Sequence, residues 1–241
     1  MNYREIFLKG KDLKGTYVEL GFGSGNSAST FIELIKSNTI TNRPIRIYDS
    51  FKGLPTPTEK DLEFDNSLTK GKFSKPIQPA LDLRFEIPGT DYKVVKGFIE
   101  ETTLGYDSGP ISILNLDLTT YSSSLVALEN LHKHLIKFGL LVVPSYITNT
   151  GVKQAVDYFL AKNNLTHQVK DGITFINSPA PKTLIGRLKR DESLEEKRVP
   201  INKELAPVPF KDKYKRKEAD KVTYNKTVRT DVKVLDKKVT R

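Results

Sequence analysis

Along the first half of the chain, short apolar runs alternate with stretches in which apolar residues return every three or four positions. "GTYVEL" (Gly15–Leu20) has the composition of a strand and ends at a glycine-rich loop. In "NSASTFIELIKSN" the residues Ala28, Phe31, Ile32 and Ile35 fall on one helical stripe, with Asn26 or Ser27 placed to cap its start. "RPIRIYDS" (Arg43–Ser50) is a second strand, ended by an acid. Two parallel strands joined by one helix require a right-handed crossover, so these segments predict a βαβ unit.

The pattern then breaks. Phe51 to Asp91 is polar and carries Pro and Gly throughout, too long for an ordinary connection, which predicts a lid or insert over residues 52–91. It resumes with "YKVVKG" (Tyr92–Gly97) as a strand and "FIEETTL" as one short helix. "ISILNLDL" (Ile111–Leu118) is apolar almost to its end, the signature of a central strand buried on both faces. "SSSLVALENLHKHLIKF" puts Leu125, Leu128, Leu131 and Leu135 on one stripe, with Gly139 as its C-cap. "GLLVV" (Gly139–Val143) predicts a fifth strand and "GVKQAVDYFLAKNN" (Gly151–Asn164) a further helix. "LTHQVKDGITFINS" holds two β-like runs across Asp171-Gly172, a hairpin signal. Strands alternating with helices predict an α/β fold, a three-layer αβα sandwich around a mostly parallel sheet; the hairpin adds an antiparallel strand.

Charge divides the chain. From Lys182 onward nineteen Lys and Arg face ten Asp and Glu, so nearly all of the net charge of +10 lies there. Residues 1–181 are therefore expected to form the domain, and 182–241 a basic, extended C-terminal tail. With few large apolar residues and several prolines, that tail cannot bury enough surface to fold alone. It reads as a solvated extension, or as a tether ordering against a protein partner or another subunit, since "PVPF" and "VTYNKTVRTDVKVL" could add as strands. Nucleic-acid binding by its Lys-Arg runs is weakened by the interspersed acids. No cysteine is present, which excludes disulfides and thiolate metal sites. The first residues lack the apolar core of a secretory signal, and no run approaches the ~18 apolar residues of a membrane span. A soluble, cytoplasmic protein is expected.

Candidate chemistry starts at "ELGFGSGNSA". A phosphate-binding Walker loop needs Gly-Lys-Ser/Thr, but Gly25 is followed by Asn26; a dinucleotide loop runs G-x-G-x-x-G, but here the spacing is G-x-G-x-G. Glu19 stands two residues before Gly21. An acid followed by such glycines suits a cationic ligand that passes close to the backbone, the carboxylate receiving an ammonium group. Asp49, at the end of the second strand, can accept both hydroxyls of a ribose. Together they point to a nucleoside cofactor without phosphate, S-adenosylmethionine. The plainer reading is a tight turn at Gly21 and Gly23, with Asp49 capping the turn after it.

On "VELGFGSGNSA", "YDSFKGLP" (Tyr48–Pro55), "KGFIEETTL" and "LNLDLTTYSSSLVALENLHKHLIKFGLLVV", the chain resembles class I S-adenosylmethionine-dependent methyltransferases. More closely, it is similar to the macrocin O-methyltransferase family, over about Gly15 to Phe159. The resemblance implies a Rossmann-like methyltransferase fold, a seven-stranded sheet whose last strand is antiparallel. It places Glu19, Gly21 and Gly23 around the methionine part of the cofactor, Asp49 on its ribose, and Gly97 and Phe98 near the adenine. Ser24 and Asp117 complete that cofactor-binding set. Family members carry an Asp-Gly-Asp-type run after the fourth strand and Asp-Asp-Tyr after the fifth, which hold magnesium. Here Asp117 matches the first acid, but Thr119 stands at the second, and Pro144 and Ser145 stand before Tyr146. One carboxylate among neutral groups is a poor magnesium site, so no metal is expected.

Asp117 is the candidate catalytic base; its alternative role is to orient the amides of the next turn. His132, His134 and His167 read as structural or surface residues. The expected activity is O-methylation of a hydroxyl acceptor, a small molecule or sugar, with the insert closing over it. The alternative is a methyltransferase-derived interaction module attached through its tail. A nucleic-acid methyltransferase is disfavoured by the lack of an N/D-P-P-Y/F-like run.

Overall fold

The computed structural model describes residues 3–165, 168–170 and 173–177. They lie in the first of two compact units, Met1–Pro200; the second, Ile201–Arg241, is outside the described residues, as are His167, the expected boundary at 181 and the tail.

Helix α1 (Tyr3–Leu8) precedes strand β1 (Thr16–Leu20), helix α2 (Asn26–Lys36) and strand β2 (Ile45–Asp49). The insert carries α3 (Glu59–Phe64), α4 (Gln78–Asp82) and a 3-10 turn at Leu83–Glu86. Then come β3 (Tyr92–Lys96), α5 (Ile99–Thr102), β4 (Ile111–Leu116), α6 (Tyr121–Leu131), β5 (Leu135–Val143) and α7 (Thr150–Asn163). Strands β6 (Gln168–Lys170) and β7 (Ile173–Asn177) follow.

Five strands form the parallel sheet, in the order β3-β2-β1-β4-β5. Beyond β5 the order continues β7-β6, with β7 antiparallel to both neighbours. Every residue of β1 and β4 is buried, as central strands covered on both faces must be. Alternate side chains feed two cores. Tyr17, Ile45, Ile47 and Ile113 pack with Ile6, Phe7 and Phe31 of α1 and α2, while Val18, Leu20, Leu114 and Leu116 pack with Leu128, Leu131 and Val156 of α6 and α7. The chain leaves β1 for β2 on one side and returns to β4 on the other. This reversal opens a crevice at the carboxyl ends of β1 and β4, where ligands bind in open α/β sheets.

Three local expectations are corrected. The helix expected to run to Phe138 stops at Leu131; His132–His134 form a 3-10 turn, and Leu135 opens β5 opposite Ile111. Leu135 is buried in either arrangement, so its place on the stripe could not distinguish helix from strand. Gly139 therefore lies inside β5, next to Phe138 at φ 63, where the pairing jumps from Leu135 to Leu140. Helix α2 is entered through Gly25 at φ 79, with no side-chain cap, because Ser27 points inward to Glu19. The insert carries helices of its own, and α1, which the sequence reading did not single out, contributes the core residues Ile6 and Phe7 despite the charges at Arg4 and Glu5.

Candidate functional site

The glycine loop leaves β1 pressed against the start of the β4–α6 loop. Gly21 sits at φ +83, and a Cβ there would lie 2.1 Å from the carbonyl oxygen of Asp117, so only glycine fits. Gly23, at φ +55, faces open space. Asp49 ends β2 and joins two loops: its Oδ2 accepts from the Phe22 amide at 2.8 Å and its Oδ1 from the Phe51 amide at 2.7 Å. The "DSFKGLP" run is thus a rigid turn. Ser50 Oγ donates to the Gly53 carbonyl at 2.7 Å, and Phe51 is left-handed at φ 53. Leu54 pairs with the insert through Leu54 N to Lys72 O and Gly71 N to Leu54 O, each 2.9 Å.

A cavity opens at this crevice, with Gly21, Gly23, Asp49, Phe98 and Asp117 in its wall. Three residues expected at the cofactor are not in that wall. Glu19 is fully buried beneath the loop, accepting hydrogen bonds from Ser27 Oγ at 2.6 Å and from the Tyr17 hydroxyl. Burial pushes its carboxyl up to about 8, against the opposing effect of those two bonds; Asp117 and Asp49 add a smaller upward push. Ser24 is exposed on the outside of the loop. Gly97 turns the chain from β3 into Phe98; a Cβ there would sit 2.6 Å from Thr102 Cγ2. The Asp117 carboxyl accepts no hydrogen bond among the described residues, and burial raises it to about 6. Opposite Glu19 in the register lies buried Asn115, whose side-chain nitrogen and oxygen both lack a partner among the described residues.

A second, polar cavity adjoins the first at Thr119, which lines both. Its wall includes Asp61, Phe64, Asp65, Tyr121 and Asn149. Asp61 fastens the insert: Oδ1 accepts from the Ser122 amide at 2.9 Å, and Oδ2 from the Thr58 amide and hydroxyl, both at 2.8 Å.

Comparison with known proteins identifies the family. A family described as macrocin-O-methyltransferase (TylF) matches residues 6–175. The chain belongs to this family. It is 20% identical over 174 residues to demethyldecarbamoylnovobiocin O-methyltransferase of Streptomyces niveus, covering 68% of this chain and 66% of that one. It is 24% identical over 150 residues to an 8-demethyl-8-(2,3-dimethoxy-alpha-L-rhamnosyl)-tetracenomycin-C 4'-O-methyltransferase of Streptomyces olivaceus, covering 60% and 58%. The match thus spans about two thirds or less of those relatives' own lengths. Among solved structures, a calicheamicin methyltransferase shares the fold at TM-score 0.64 and 19% identity, over 73% of this chain and 77% of that one.

The magnesium that the resemblance brings with this family does not fit the residues present. Ser145 Oγ donates to the Leu118 carbonyl at 3.2 Å, and the Tyr146 hydroxyl donates to Asp157 on α7. Pro144 offers no side-chain oxygen, and Thr119 offers a neutral one. Among the described residues no group of three or more His, Cys, Asp or Glu is placed to hold a metal. His132 packs on Phe159 and His134 on Tyr106, and neither lines a cavity described above. No described helix is long and apolar enough to cross a membrane.

The structure also brings in residues that the sequence did not single out. Glu100 lines the first cavity and accepts from Ser123 Oγ. An acid two residues past Phe98 was a visible signal. Phe73 reaches the same wall from the insert, 55% exposed and at φ 69, with nothing in its sequence context to mark it.

Proposed function

We propose that the chain is an S-adenosylmethionine-dependent O-methyltransferase acting on a hydroxyl of a small molecule or sugar, without the magnesium of its family. The observation that carries this reading is the first cavity, which combines a glycine loop where a Cβ is excluded with Asp49, Glu100 and Asp117 in a wall that has no basic side chain among the described residues. Such a donor set suits a cation that carries hydroxyls and repels phosphate.

Asp49 would hold the ribose, each of its oxygens keeping a lone pair beyond the backbone bond it already accepts. The loop at Gly21 and Gly23 would carry the methionine part, and Phe98 the adenine side. Glu19, beneath the loop, holds Ser27 and so the start of α2 in place, with Ser24 outside the contact. When bound, S-adenosylmethionine supplies a methyl group on a sulfonium, electrophilic without further activation. Asp117, at the carboxyl end of β4, would take the proton of the acceptor hydroxyl. Burial suits it to that role, because a carboxylate near 6 accepts a proton more readily than an exposed one, yet is ionised at neutral pH. The two relatives, named as O-methyltransferases of demethyldecarbamoylnovobiocin and of a rhamnosyl-tetracenomycin C, support the choice of acceptor.

Calorimetry with S-adenosylhomocysteine tests the reading. We expect binding by the wild type and loss of at least ~10-fold in affinity for Asp49→Ala. Absence of binding by the wild type would defeat it. Turnover that collapses on chelation of magnesium would defeat the metal-free part alone.

A further inference from the structure

We infer that Glu19 senses the charge of the cofactor, giving up its proton when the sulfonium cation S-adenosylmethionine fills the first cavity and holding it when the uncharged thioether S-adenosylhomocysteine is there instead. This makes Glu19 the residue that favours the methyl donor over the spent product. The inference rests on the methyltransferase reading above and goes beyond it.

Glu19 and Asn115 are register partners on the adjacent strands β1 and β4, with backbones ~4.8 Å apart. Each stands two positions after a residue of the α1/α2 core, Tyr17 and Ile113, so both side chains point to that face of the sheet. Neither reaches solvent. The Glu19 oxygens accept from two neutral hydroxyls, those of Ser27 and Tyr17. The loop above it lends no amide, because Gly21 N donates to Tyr48 O at 2.8 Å and Phe22 N to Asp49. Yet Gly21, two positions on from Glu19, already lines the first cavity. A cation held there acts on Glu19 through one thin layer of backbone, with little solvent to screen it.

The groups that face Glu19 come from every element packed on it: Tyr3 of α1, Tyr17 of β1, Ser27 of α2, Asp49 of β2, Tyr92 of β3 and Asp117 of β4. Burial holds the three tyrosines well above their ordinary value, so they stay neutral. Burial, and then Asp117 and Asp49, favour the protonated form of Glu19 in the free protein, at about 8. A cation beside those two carboxylates reverses their push. Ionised, Glu19 requires a further donor, and Asn115 supplies it. Both polar atoms of that buried side chain lack a partner among the described residues. An amide is rarely left so at this depth. Its Nδ2 is the donor that the ionised carboxylate takes up, which gives the orphaned group a use.

The test is calorimetry on the full chain at about pH 7.5, in buffers of different ionisation enthalpy, which counts the protons exchanged on binding. If the cation lowers the proton affinity of Glu19 about tenfold, the wild type releases about half a proton more than Glu19→Gln on binding S-adenosylmethionine. With S-adenosylhomocysteine the two proteins should exchange equal numbers. The ligands' amino groups titrate in the same range but do so alike in both proteins, so the difference between them isolates Glu19. Between about pH 6.5 and 9 the preference for S-adenosylmethionine over S-adenosylhomocysteine should rise at least ~5-fold more in the wild type than in the variant. Asn115→Leu removes the waiting donor and should at least halve the proton release that the wild type shows with S-adenosylmethionine beyond that with S-adenosylhomocysteine. No difference between wild type and Glu19→Gln with S-adenosylmethionine, or an equal difference with both ligands, overturns the proposal. If Glu19→Gln does not fold, Asn115→Leu decides, and proton release equal to that of the wild type overturns it. Failure of the wild type to bind either ligand would instead sink the cofactor reading, which keeps the two failures distinct.

Discussion

Replacing Glu19 with Gln should make the protein more stable in alkaline solution and slightly less stable in acid. Glu19 is wholly inaccessible to solvent, and burial holds its carboxyl at about 8 against an ordinary value of 4.5. Below about pH 4.5 the group is neutral in both folded and unfolded chains and has no linkage effect. As the pH rises toward 8 the unfolded chain releases the proton while the folded one retains it, so stability falls; above 8 the loss is complete. At about 1.4 kcal/mol for each tenfold change in proton affinity, the full loss is on the order of 5 kcal/mol. Gln does not titrate, so it escapes that loss. Its amide keeps only one acceptor for the two hydroxyls of Tyr17 and Ser27, which costs about 1 kcal/mol at any pH. The assay is urea unfolding of both proteins at about pH 5, 7 and 8.5 at constant ionic strength. The two should be about equal at the lowest pH, where linkage has already taken about 1 kcal/mol from the wild type, and the variant about 4 kcal/mol stronger at the highest. A difference that stays flat across this range would refute the claim that Glu19 is held protonated by the fold.

Asp61→Ala strips the partners from the Ser122 and Thr58 amides and should cost about 2 kcal/mol, with faster amide exchange confined to Thr58–Phe64 and the start of α6; unchanged exchange there would show that Asp61 is not the insert's fastening. Gly21→Ala puts a methyl group 2.1 Å from the Asp117 carbonyl at φ +83 and should cost at least ~2 kcal/mol and abolish S-adenosylhomocysteine binding, whereas Gly23→Ala, with open space around it, should stay folded with a cost of about 1 kcal/mol. For the catalytic step, kcat/KM should rise with pH through about 6 as Asp117 ionises, and Asp117→Asn should lose both the activity and that inflection.

The alternation of strand and helix was legible because the parallel strands are buried on both faces and therefore read as unbroken apolar runs. What periodicity could not supply was where an element stops when the next one needs the same kind of side chain. Leu135 shows this: a leucine on the α6 stripe is equally at home as the first residue of β5, and only its pairing with Ile111 decides. Ser27 shows the reverse case. A serine at a helix start predicts a cap, but a buried carboxylate within reach is the stronger acceptor, so the cap passes to Gly25 at φ 79 and the hydroxyl turns inward.

The site was legible where backbone geometry dictated residue type, and obscure where the insert met the sheet. Gly21 and Asp49 stand out in the sequence because one must lack a Cβ against the Asp117 carbonyl and the other must bridge the amides of Phe22 and Phe51. Phe73, Asp61 and Asp65 gave no such signal, because each acquires its meaning from a wall formed by a segment distant in sequence. The same division explains the metal positions. Thr119, Pro144 and Ser145 stand where the family resemblance implies carboxylates, in loops where Ser145 Oγ donates to Leu118 O and Asn149 Nδ2 to Thr119 O. The loops that would position a metal are thus held by hydrogen bonds of their own, leaving Asp117 as the acid at the end of β4. On the proposed reading, in which Asp117 is the base and no metal is held, the acceptor hydroxyl is aligned by shape and hydrogen bonding, and the aromatic and hydroxyl wall of the second cavity is where such alignment would act.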